Sequence, residues 1–117
     1  APGEDITRRQ RVLRADVNYT QGWVTLNCGD PVGAIEHLRL ALDEYRELGE
    51  YDGFGYPMHA MAQCYLTMGN FDGLRECIAE TTEVNKLATI KGTRLRALIR
   101  TIQEMIDAEE PREDSEG

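Results

Sequence analysis

Apolar residues recur at three- and four-residue steps along most of this chain, the spacing that lines one face of an α-helix. In the run from Asp5 to Cys28, which contains no proline, Val12, Ala15, Tyr19, Trp23 and Leu26 fall on one stripe, after a loose start over residues 1–4. A second stripe of Leu13, Val17 and Val24 widens the apolar arc and predicts a helix with neighbours on two sides. Gly29-Asp30-Pro31 follows, with a glycine to end one helix in the left-handed conformation, an aspartate to cap the next and a proline suited to its first turn.

The next helix is predicted from Pro31 to about Leu48, with Ile35, Leu38, Leu42 and Tyr45 on its inner face and Gly49 as its stop. Gly49 to Pro57 holds three glycines, a proline and three aromatics, and reads as a loop whose Tyr51, Phe54 and Tyr56 pack back on the helices. A third helix is expected from about Tyr56–Met58 to Met68, carrying Met58, Met61, Tyr65 and Met68. Gly69-Asn70 repeats the stop and cap. The fourth helix starts at Phe71 and turns Leu74, Ile78 and Thr81 or Thr82 inwards, with Asn85 and Gly92 as alternative breaks. A last helix, ending near Asp107, carries Leu95, Leu98, Ile102 and Met105 and is expected to cover the open end of the stack.

Two of these segments echo one another. Gly22, Thr25, Gly29, Ala34, Leu38 and Ala41 recur 40 positions later as Ala62, Tyr65, Gly69, Leu74, Ile78 and Thr81. A small residue, a glycine stop and apolar residues at helical spacing describe a helix-turn-helix unit, and repetition of that unit implies a stacked helical array. The 117 residues fit one all-α domain over 1–108, with unit one at about 6–48, unit two at about 56–91 and a terminal helix at about 93–108. Residues 109–117, charged and free of large apolar side chains, read as a disordered acidic tail.

Composition narrows the classes of partner. A net charge of −8 opposes non-specific attraction to nucleic acid or an anionic membrane surface. The charge is uneven: eleven acids from Asp30 to Glu83 face only Arg39, Arg46 and Arg75, whereas Lys86 to Arg100 contains five bases and no acid. Solvated faces and inter-helix salt bridges account for this pattern; a docking surface for a charged partner is the alternative. Cys28, Cys64 and Cys77 lack CxxC spacing and suit reduced thiols in a cytoplasmic protein, and no apolar run approaches the length of a membrane span. The chain opens on Ala1 rather than Met, which fits a processed or excised product.

The echoed residues resemble the tetratricopeptide repeat (TPR) family, whose units carry a small pair where helices touch, a glycine turn, and Ala-x-x-x-aromatic/aliphatic-x-x-Ala in the second helix. Gly22, Gly29, Ala34, Leu38 and Ala41 follow that pattern closely; Ala62, Tyr65 and Gly69 do so in the second unit, where Leu74 and Thr81 replace the usual alanines. The family's helix-breaking proline is missing from both units. The resemblance covers roughly residues 15–93, and its period matches extended 40-residue repeats. It implies antiparallel hairpins stacked as a short right-handed superhelical array capped by the C-terminal helix. It further implies a non-enzymatic interaction module that takes a protein or peptide in the groove lined by the first helix of each unit. Aligned in this way, the groove residues would be Asp16, Tyr19, Thr20, Trp23 and Asn27 from unit one and Tyr56, His59, Gln63 and Thr67 from unit two. The family's carboxylate clamp for chaperone tails is not matched, since Tyr19, Trp23 and His59 stand where its Lys, Arg and Asn would be.

Other chemistry has little to rest on. Trp23 has two readings, a core residue or a binding anchor. His37 and His59 lie on different predicted helices without a carboxylate, Cys or His at i,i+4, so no metal site and no cofactor are implied. Ser115, the only serine, lies in the acidic tail. Gly53 and Gly55 have no following Lys-Ser/Thr and form no phosphate loop. Two alternatives to a binding module remain: a homo-oligomerisation or regulatory segment that stacks on another copy, and a small enzyme or sensor using Cys64, Cys77 or His59.

Overall fold

The computed structural model describes the backbone of residues 2–88 and 93–111 and the side chains of 7–88 and 94–111. Five helices follow in order: α1 Pro2–Asn27, α2 Pro31–Leu48, α3 Tyr51–Met68, α4 Phe71–Leu87 and α5 Thr93–Glu109. No strand occurs among the described residues. Consecutive helices pack against one another, α1 also touches α3, and α3 also touches α5. Helices α1, α3 and α5 therefore form one layer, with α2 and α4 behind them.

The three tight turns are built alike. Gly29, Gly49 and Gly69 adopt φ of 92°, 72° and 68°, and each donates its N–H back into the preceding helix, to Leu26, Arg46 and Leu66. The next residue closes the six-residue bond in each case: Asp30 to Thr25, Glu50 to Tyr45 and Asn70 to Tyr65, the Schellman pattern that satisfies the last carbonyls. Asp30 and Asn70 then accept from the N–H of Gly33 and Gly73, both at 2.9 Å, and cap α2 and α4 as expected.

Three boundaries differ from the sequence reading. α1 already begins at Pro2, at the helical position where a missing N–H costs nothing. Residues 51–57 are the start of α3, not a loop. Phe54, Pro57 and Met58 are fully buried, and that burial outweighs the roughly 3 kcal/mol that an internal proline costs. Gly53 lies beneath the Tyr45 ring, where an added Cβ would make a tight contact 3.2 Å from Tyr45 Cε1. Finally, α4 passes through Asn85 to Leu87, so Asn85 breaks nothing; Gly92, the other candidate, lies outside the described residues.

The core runs between the layers. Ala34, Leu38, Leu42, Phe54, Met58, Met61, Leu74, Val84 and Ile102 are wholly buried, and Leu95, Leu98 and Ile106 close it from α5. The small residues act as expected in the first hairpin: a Cβ on Gly22 would meet Leu38 Cδ2 at 2.6 Å and the Ala34 carbonyl oxygen at 3.3 Å. Thr81, not Thr82, takes the fully buried place on α4, its hydroxyl donating to the Cys77 carbonyl at 2.7 Å. The second stripe of α1 is a correction. Leu13, Val17 and Val24 are 57%, 54% and 53% exposed, because every other helix lies on the opposite side of α1. Glu110, assigned to the tail, is paired with Arg75 of α4; residues 112–117 lie outside the described residues.

Candidate functional site

Two open depressions share Tyr19 and Tyr56 and together make one cleft across the α1-α3-α5 layer. The part nearer α5 has a volume of about 350 Å³ and is lined by Tyr19, Gly55, Tyr56 and His59 with Arg94, Ala97, Leu98 and Thr101. The part nearer α1, about 570 Å³, is lined by Val12, Asp16, Tyr19, Thr20, Tyr45, Glu50, Gly53 and Tyr56. The glycines on α3 help to keep the floor open, since no side chain of Gly53 or Gly55 enters the space.

The tyrosines form the middle of the cleft. Their ring centroids are 6.4 Å apart with planes inclined at 45°, a tilted aromatic pair. On the α5 side, Arg94 Nη1 donates to the Tyr56 hydroxyl at 2.8 Å, and the guanidinium carbon lies 5.2 Å from the Tyr56 ring centroid. On the α1 side, the Tyr45 hydroxyl donates to the Asp16 carboxylate. Burial, reinforced by that carboxylate, pushes the Tyr45 phenol well above its ordinary range, so it remains a donor at any physiological pH. Glu50 accepts from Arg8 Nη2 at 2.9 Å. The cleft is therefore acidic at one end, aromatic in the middle and basic at the other.

Five of the nine residues assigned to the groove from sequence line this cleft: Asp16, Tyr19, Thr20, Tyr56 and His59. Trp23, Asn27, Gln63 and Thr67 lie further along α1 and α3 and line neither depression. The Thr20 and Thr67 hydroxyls donate to the carbonyls of Asp16 and Gln63, at 3.0 and 2.8 Å. Trp23 is 43% exposed, which removes it from the core. The α5 contribution goes beyond the sequence expectation, in which the apolar stripe of that helix implies only a cover for the stack. A signal was present: Arg94 has no acid three or four positions away in either direction, so its own helix cannot neutralise it.

A third depression, lined by Arg11, Arg14, Asn18, Leu40, Asp43, Glu44 and Glu47, is occupied by its own ion pairs. Glu44 accepts from Arg11 Nε at 2.7 Å and Arg14 Nε at 2.8 Å. Burial alone would raise the Glu44 carboxyl, but the two arginines outweigh it and hold it below the usual carboxylate range. Burial acts on the Cys64 and Cys77 thiols without such compensation. Desolvation pushes Cys64 up to about 11 and Cys77 up to about 12, leaving both protonated near neutral pH. Among the described residues, no group of three His, Cys, Asp or Glu side chains could hold a metal ion, and no helix is long and apolar enough to cross a membrane.

Compared with known proteins, the chain matches no family model, no curated protein and no solved structure.

Proposed function

We propose that this chain is a non-enzymatic, TPR-like interaction module that binds an extended peptide segment of another protein in the Tyr19–Tyr56 cleft. On this reading the hairpins α1-α2 and α3-α4 are the two units of a short right-handed array, and α5 both caps it and forms one wall of the groove. The observation that carries the reading is the cleft itself: an open, aromatic-centred trough on the layer of first helices, with Tyr56 52% exposed. Exposed tyrosines flanked by polar groups are typical anchors for peptide chains, because a rigid ring buries much area at low entropic cost.

The test is selection of phage-displayed random peptides on the immobilised protein, followed by affinity measurement with the synthesised winners. Tyr56→Ala should weaken them at least tenfold while leaving the helical circular dichroism unchanged, since the ring is not part of the core. Equal affinity for both proteins would overturn the reading. A second reading, self-association, is favoured by the exposed Leu13, Val17 and Val24 stripe. Sedimentation equilibrium decides it: a mass that rises with concentration and falls back with Val17→Glu supports it, and a concentration-independent monomer removes it.

A further inference from the structure

Six arginines of the molecule are held against carboxylates at close range. Arg8, Arg11, Arg14, Arg39, Arg46 and Arg75 each face at least one carboxylate. Arg94 does not. Its partners are the hydroxyl and the ring of Tyr56, both uncharged, and it lines the same part of the cleft as His59. In a chain of net charge −8, this exposed guanidinium places a positive charge, without a counter-ion among the described residues, on the wall of the cleft. The contact with Tyr56 uses one Nη1 proton and holds the plane of the group, leaving other N–H donors free for a carboxylate.

We propose that Arg94 is the specificity-determining residue of the cleft and that it selects a peptide bearing an Asp or Glu side chain beside an aromatic or large aliphatic residue. This rests on the peptide-binding reading above. The apolar residue stacks on the Tyr19–Tyr56 pair and the neighbouring carboxylate reaches Arg94; the Thr101 hydroxyl on the same wall donates to the Ala97 carbonyl at 3.0 Å and leaves the acid to Arg94. At the other end of the cleft Glu50 is offset by Arg8, but the Asp16 carboxylate, whose partner is the uncharged Tyr45 hydroxyl, repels a second carboxylate and so fixes the direction in which the peptide lies. A uniformly acidic segment is disfavoured; one acid at a set distance from the apolar anchor is preferred.

The same peptide selection tests it, run in parallel on the intact protein, on Arg94→Gln and on Arg94→Glu. Arg100→Gln serves as control, since Arg100 is exposed on α5 but does not line the cleft. Peptides enriched on the parent protein should carry an acid at fixed spacing from an apolar residue. Arg94→Gln should weaken them about tenfold, amidating the peptide acid should weaken them equally, and the two changes together should cost no more than either alone. Selection on Arg94→Glu should enrich Lys or Arg at that spacing, a reversal that a merely structural role for Arg94 would not produce. Winners without an acid, sensitive to Tyr56→Ala but indifferent to Arg94→Gln, would overturn the role of Arg94 and leave the cleft standing. Absence of enrichment on the parent protein would overturn both.

Discussion

At Gly22 the first two helices approach so closely that a single added methyl would overlap Leu38, itself fully buried and unable to swing away. Ala34 stands across the same contact with none of its surface exposed. Ala34→Leu should therefore cost about 1–3 kcal/mol through overpacking, read as a lower denaturation midpoint with unchanged slope. These positions were legible in the sequence because a small residue forced by packing leaves the same mark wherever it occurs. Arg94 was not legible as a ligand-facing group, because its role depends on which helix lies beside α5, and sequence spacing reports only neighbours on one helix. Trp23 shows the same limit. It shares the apolar stripe with Ala15, yet a large ring near the edge of that stripe emerges 43% exposed.

Among the elements, the turn chemistry carried most of the boundaries. Asp30 and Asn70 each satisfy an orphan N–H, so Asp30→Ala and Asn70→Ala should each lower stability by about 1 kcal/mol, additively, since the two caps share no partner. The difference at Gly49–Pro57 has a physical origin: local propensity for Gly and Pro opposes a helix, and only the burial of Phe54 and Met58 in the core reverses the balance. The interval was visible all along, since Gly29, Gly49 and Gly69 fall 20 residues apart and leave room for helices of equal length. The α1-α2 hairpin is also tied by charge. The Glu44 carboxyl is depressed by Arg11 and Arg14, so its contribution is present above the pKa of an unfolded glutamate and disappears as pH falls through the lower, folded value. Glu44→Gln should remove about 1 kcal/mol at neutral pH and flatten the acid limb of a stability–pH curve measured by urea titration.

For the whole molecule, the layered arrangement leaves the cleft on the α1-α3-α5 side and the apolar stripe of Leu13, Val17 and Val24 on the free edge of the stack. α5 is what makes the cleft two-walled, and it is held by Ile102 and Ile106 against the core. Ile102→Ala should cost about 2–5 kcal/mol and should weaken peptide binding as well, because the wall carrying Arg94 and Thr101 loses its support. Measuring both quantities on one variant links the stack to the site. The Trp23 indole gives a further readout: in the folded protein its fluorescence should be readily quenched by acrylamide, and a core-like resistance to quenching would contradict its exposure.

The three thiols differ in a way useful to anyone handling the protein. Cys28 is exposed at the end of α1, whereas Cys64 and Cys77 are buried and held protonated. A maleimide dye at mild pH should therefore attach at Cys28 alone, giving a singly labelled molecule from the unaltered sequence. Nine residues along α1 place that dye roughly 13 Å from Tyr19, far enough to leave the cleft clear and near enough for its emission to report when a peptide arrives.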